Sequence, residues 1–263
     1  MVVILLLGIL GATVAVFIAN PVRAYFESIS RAALSDSADL VARRMAREVQ
    51  AAVPNSVRVT SSGGVQFLEF VPVAAAGRYR SAASNNFGSQ GNFLDFSNAA
   101  NSSFDILGPP ITVPAGARLT IMNLGFGTTN LYSGGNVRSL TASGSNQTTI
   151  SYTPAGAWPA SSPSKRFYLY TTAVTWACAP NAAGTGTLTR YSGYAVQATQ
   201  PSSTSSAPLS TATSGLVLNN VSACSFTPGS AQVAVNALQV ALQLTNSGDT
   251  VTLYSQINAP NGP

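Results

Sequence analysis

The sequence predicts an α+β fold: a long N-terminal helix, its apolar half protruding and its amphipathic half packed on a head of mainly antiparallel strands. Three observations predict it. Met1 to Ala19 carry no charge. Residues 22–53 then place apolar and charged side chains at helical spacing. Beyond residue 54, short β-forming runs alternate with Gly, Pro, Asn and Ser clusters. The implied division is a membrane or assembly helix over 1–53 and a β-rich head over 54–263.

A helix rises ~1.5 Å per residue, so the uncharged run spans roughly 28 Å, close to the ~30 Å hydrocarbon core of a bilayer. Ile4, Leu7, Leu10, Val14, Phe17 and Ile18 ring it with large apolar groups, and Gly8 and Gly11 are small enough to let neighbouring helices approach closely. A secretory signal peptide fits less well, because no basic segment precedes the run and the run exceeds the usual ~7–15 residues.

Pro21 lies where the two halves join. A proline removes a helical hydrogen bond and crowds the preceding turn, so a kink or local unwinding is expected around Phe17 to Pro21. Beyond it, Val22, Phe26, Ile29, Ala33, Ser37, Val41, Met45, Val49 and Ala52 predict the face that packs on the head. Opposite charges four apart at Arg23/Glu27, Glu27/Arg31, Asp39/Arg43 and Arg44/Glu48 support a solvent-facing stripe, at ~0.2–0.5 kcal/mol each. Pro54 should stop the helix.

An apolar Leu-Gly-Ile-Leu-Gly helix running into an amphipathic one resembles the type IV pilin and pseudopilin superfamily. Arg43 to Ala52, the exit Val53 to Val59 and the stretch Asp249 to Ile257 resemble the minor pilins of MSHA-type pili. The resemblance covers roughly 1–60 and 216–263. It implies a structural subunit held in the bacterial inner membrane by a single span, with its head in the periplasm, and then drawn into a pilus at the cell surface. Its partners would be other pilin subunits, the inner membrane before assembly and the pilus assembly machinery. The Gly-Phe-Thr-Leu-Ile-Glu type processing site of the family, with its glutamate, is absent from the sequence as it stands, and a start placed too far downstream is the expected reason. A J-type minor pseudopilin of type II secretion would share the same helix. A signal-anchored surface β-domain with an adhesin or glycan-binding role is the alternative from outside the superfamily.

In the head, strands are expected over Val65–Val73, Arg118–Leu124, Thr148–Tyr152, Arg166–Trp176, Leu188–Val196, Gln232–Leu244 and Thr250–Ile257. Gln200–Ser214 reads as a long exposed loop. Residues 84–103 read as a polar loop that Phe87, Phe93, Leu94 and Phe96 anchor to the head. Cys178 and Cys224, the only cysteines, are expected to form a disulfide in an oxidising compartment, with two buried thiols as the alternative.

Chemistry is not expected. The chain has no His, which removes the usual general base near neutral pH and any triad built on one. With one acid per loop at Asp95 or Asp249 and no clustered Cys or His, neither a metal site nor a cofactor is expected. No phosphate-binding loop is present. The net charge of +5, with pI ≈ 9.5, is too sparse for a nucleic-acid footprint.

Overall fold

The computed structural model describes residues 2–81, 91–229 and 237–259. The chain opens with helix α1 (Val2–Gln50). Strands β1 (Arg58–Ser62), β2 (Val65–Phe70), β3 (Ala75–Tyr79), β4 (Ser103–Leu107), β5 (Ile111–Val113), β6 (Arg118–Thr120), β7 (Val137–Ser139), β8 (Gly144–Gln147) and β9 (Thr149–Ser151) follow. Then come β10 (Arg166–Tyr170), β11 (Ala173–Ala179), β12 (Gly186–Tyr194), β13 (Thr213–Pro228), β14 (Ala237–Asn246) and β15 (Asp249–Asn258).

Two sheets organise the head. One has seven strands in the order β1-β2-β11-β12-β13-β14-β15, and the other has six in the order β7-β6-β10-β3-β4-β9; β5 and β8 form a separate pair. Every strand pairing is antiparallel. The six-stranded sheet curls until its two outer strands meet. Leu140 bridges Tyr152, the Thr141 N–H donates to Ser151 O at 3.0 Å, and the Thr153 N–H donates to Ser139 O at 2.9 Å. Such closure satisfies backbone groups that an open edge would leave unpaired.

These findings correct the α+β assignment. Among the described residues α1 is the only α-helix, and the remainder is antiparallel β, so the architecture is β-dominated with one helix laid against it. Among the same residues no helix is long and apolar enough to cross a membrane. The protruding membrane-length half is therefore withdrawn. The helix also runs through Pro21 without unwinding.

The packed part of α1 begins later than expected. Val22, Phe26 and Ile29 are exposed, and burial starts at Leu34 and continues through Ala38, Val41, Ala42, Met45 and Val49. This stripe, repeating at three and four residues, lies over the seven-stranded sheet and shares a core with Leu68, Trp176, Leu188, Leu242 and Leu244. Burying a Val, Leu or Met side chain stabilises by ~1.5–3 kcal/mol, so these few residues suffice to dock the helix. After Gln50 the chain feeds straight into the sheet: the Val53 N–H donates to Val71 O at 2.8 Å and the Val73 N–H to Ala51 O at 3.0 Å.

A second core fills the curled sheet with Tyr79, Leu94, Phe104, Trp158 and Phe167; Phe104 meets the Tyr79 and Phe167 rings edge-on. A third, including Val53, Phe67, Val137, Tyr170 and Leu209, lies between the sheets. The chain crosses from one sheet to the other between β10 and β11. Ala173 to Cys178 are buried without alternation, because β11 has the helix-side core on one face and the inter-sheet core on the other.

Candidate functional site

The described feature with most unsatisfied apolar surface is the side of α1 turned away from the head. Val22, Phe26, Ile29, Ala33 and Leu40 follow one another at spacings of four, three, four and seven, which is one face of a helix. Their large members are well exposed: Val22 47%, Phe26 64%, Ile29 48% and Leu40 70%. Towards the N-terminus Ile4, Leu7, Leu10, Val14 and Phe17 are exposed as well, Phe17 to 85%. A side chain built on Gly8 would meet nothing within 4 Å. The surroundings of Gly11 and Ile18 lie outside the described residues. Pro21 sits within this exposed segment.

Residue spacing therefore divides one helix between two masters. The buried stripe and the exposed stripe interleave in sequence over 33–49, and the periodicity merged them into a single face. The charges separate them. Asp39–Arg43 at 2.8 Å and Arg44–Glu48 at 3.2 Å form as expected, and Arg23–Glu27 closes at 3.7 Å. Arg31, expected to pair with Glu27, instead reaches across to Asp249 at the start of β15, at 2.8 Å. Asp249 accounts for Arg31's raised pKa, first as a hydrogen-bond acceptor and then through its charge. Glu48 also accepts from Arg190 of β12 at 2.8 Å, so both ends of the docked segment are pinned to the sheet by ion pairs.

The expected disulfide is present. Cys178 of β11 and Cys224 of β13 are bonded across the intervening β12, with 6.6 Å between their Cα atoms. The strands draw together there over Gly186, where a Cβ would stand 2.2 Å from Val221 O and 2.6 Å from Ala179 O. Asp95 serves its own turn, accepting from the Ser97 N–H at 2.9 Å and the Ser97 hydroxyl at 2.6 Å, which lowers its pKa. Leu94 is buried in the curled sheet and Phe93 and Phe96 are partly buried, so the residues following 90 are anchored; Phe87 lies outside the described residues.

Sequence reasoning missed a buried polar centre where the helix exit meets the head. Glu69, with no exposed surface, accepts from Arg58 at 2.8 Å. The Arg58 guanidinium also donates to the Ala198 and Gln197 carbonyls and lies 3.5 Å over the Tyr132 ring. Burial pushes the Glu69 carboxyl up to about 7, against the opposing charge and hydrogen bond of Arg58. Burial likewise raises the Tyr194 hydroxyl, which shares a hydrogen bond with Thr175. The groove above, about 310 Å³, is lined by Asn55, Arg58, Asn130 and Tyr132. The centre ties β1 and β2 to the segments that carry Tyr132 and Gln197–Ala198. Its two ionic members stand on the paired strands β1 and β2, as Arg58 opposite Glu69, a register that the primary sequence alone does not reveal.

Among the described residues no group of three or more His, Cys, Asp or Glu could hold a metal ion. No known protein family, curated protein or solved structure matches the chain.

Proposed function

We propose that the chain is a structural, minor pilin-like subunit that assembles into a filament of the MSHA type IV pilus kind through the outward face of α1. The observation that carries this reading is the helix itself. It extends 49 residues, yet its burial against the head starts at Leu34, and its other face keeps Val22, Phe26, Ile29 and Leu40 exposed. Burying such a stripe at ~25 cal/mol per Å² requires partners shaped like itself, and parallel helices of neighbouring subunits fit. The proposal needs only helix–helix contact and places no span in a bilayer. The pseudopilus of type II secretion would use the same face, and the resemblance of 43–59 to MSHA-type minor pilins favours the pilus.

The test is site-specific photo-crosslinking in the native cell. A crosslinker at Phe26 or Ile29 is expected to capture the helices of other pilin subunits, whereas one at exposed Thr199 in the head is not. Capture of no subunit from either helix position, with normal piliation after deletion of the chain, would overturn the proposal. It would leave a surface β-domain with another role.

A further inference from the structure

On the curled sheet, β3 and β10 are paired so that Arg78 stands directly opposite Arg166. Both side chains are exposed on the outer face, since the alternating neighbour Phe167 points into the core and fills the space at 2.8 Å from where a Gly77 Cβ would lie. Like charges placed opposite one another on a sheet are destabilising, and a protein ordinarily relieves them with a carboxylate. Here none does so. All eight Asp and Glu residues lie within the described segments, and neither arginine takes part in an ion pair there. Asp105, further along the same face, is held by Arg80 at 3.6 Å. Lys165 and Arg118, both exposed and also without a carboxylate partner among the described residues, add to the excess positive charge.

The two guanidiniums border a shallow groove of about 340 Å³ whose other lining is Ala76, Gly77 and the half-buried Tyr168. We propose that this groove binds an acidic polysaccharide, with Arg78 and Arg166 clamping a uronate carboxylate and the sugar ring lying against Tyr168 and the small-residue floor. Guanidinium forks match carboxylate geometry, and an amphipathic tyrosine suits a sugar's apolar face. The lining favours a sugar over the other anions: Tyr168 and the small residues Ala76 and Gly77 offer a flat, partly apolar floor beside the two arginines, which a sugar ring covers and a bare phosphate does not. Polyphosphate and an acidic peptide would meet the same guanidiniums, so both belong among the competing probes.

The experiment measures retention of the full chain, in neutral detergent at 50 mM NaCl, on immobilised polygalacturonate, with neutral dextran as the blank. The wild type is expected to bind, and R78A/R166A to bind at least tenfold more weakly. R78K/R166K, which keeps the charge but loses the fork, should fall between them. Polyglutamate, polyphosphate and anionic phospholipid vesicles serve as competing probes. Failure of the wild type to bind polygalacturonate, equal binding by R78A/R166A, or equal affinity for any competing probe would overturn the proposal. Far-UV circular dichroism and an intact disulfide verify that the variants are folded. F26D on α1, which tests the assembly reading, should leave retention unchanged, so the two proposals fail separately.

Discussion

The two ends of α1 are built from similar residues and meet opposite fates. From Leu34 to Val49 the apolar stripe is closed against the seven-stranded sheet, with Met45 and Val49 fully buried. Ile4, Leu7, Leu10, Val14, Phe17, Val22, Phe26 and Ile29, equally apolar, are exposed. Apolarity alone does not decide which part of a helix is core. The docked end has a sheet whose inner face offers Leu68, Trp176 and Leu242, and it has ion pairs to Asp249 and Arg190 that fix its rotation. Among the described residues the other end meets no comparable surface, and Val22, Phe26 and Ile29 stay exposed.

The division can be broken or sharpened experimentally. Removing the disulfide as C178A/C224A bears on the sheet that receives the helix. On the chain-entropy account its 46-residue separation corresponds to about 4 kcal/mol, to be read from urea unfolding. A loss below 1 kcal/mol would mean that the docked core holds the strands unaided. Met45→Ala, inside the docked stripe, should cost about 2–5 kcal/mol in the same assay.

The pH dependence comes next. Glu69 has a folded pKa near 7, raised from 4.5. The folded state therefore keeps its proton where the unfolded state has lost it, and stability should fall as pH rises from about 4.5 to 7, by up to about 3 kcal/mol, and then level off. Glu69→Gln should flatten that slope; an unchanged slope would assign it to another group. The smallest effect on stability is expected at Phe26→Ser on the outward face: within about 0.5 kcal/mol, since the side chain is largely exposed. A larger loss would show that the outward stripe supports the fold itself.

Much of the head was legible where one strand carries its own signal. The runs at 65–73, 188–196 and 250–257 became β2, β12 and β15; β15 alternates as a half-buried strand does, whereas β2, buried on both faces, was legible from its β-forming residues. The single run at 166–176 is two strands in different sheets, and no local pattern marks the crossing at Thr171–Thr172. The sixteen-residue β13 was invisible over most of its length. Its Gly215, Asn219 and Asn220 are of types depleted in strands, and pairing with β12 and β14 overrides that preference. The supposed loop 200–214 holds Leu209 in the inter-sheet core and gives β13 its first residues. Part of the expected 232–244 strand lies outside the described residues, and the remainder falls in β14. Of the candidate site, the apolar positions Val22, Phe26 and Ile29 were legible as a helix stripe but were expected to pack on the head, because spacing alone does not say which stripe docks. The Arg78–Arg166 juxtaposition was not legible, because it exists only in the register of two strands nearly ninety residues apart.

The Arg31–Asp249 pair has a mechanical meaning. Force applied along α1 would peel strands away one at a time from Val53 if the chain exit were the sole join between helix and head. Arg31 fastens α1 to β15 at one edge of the sheet, Glu48 fastens it to β12, and the exit ladder fastens it to β2. Tension along the helix is then carried as shear, shared across the width of the sheet, and the Cys178–Cys224 bond closes the middle of that load path.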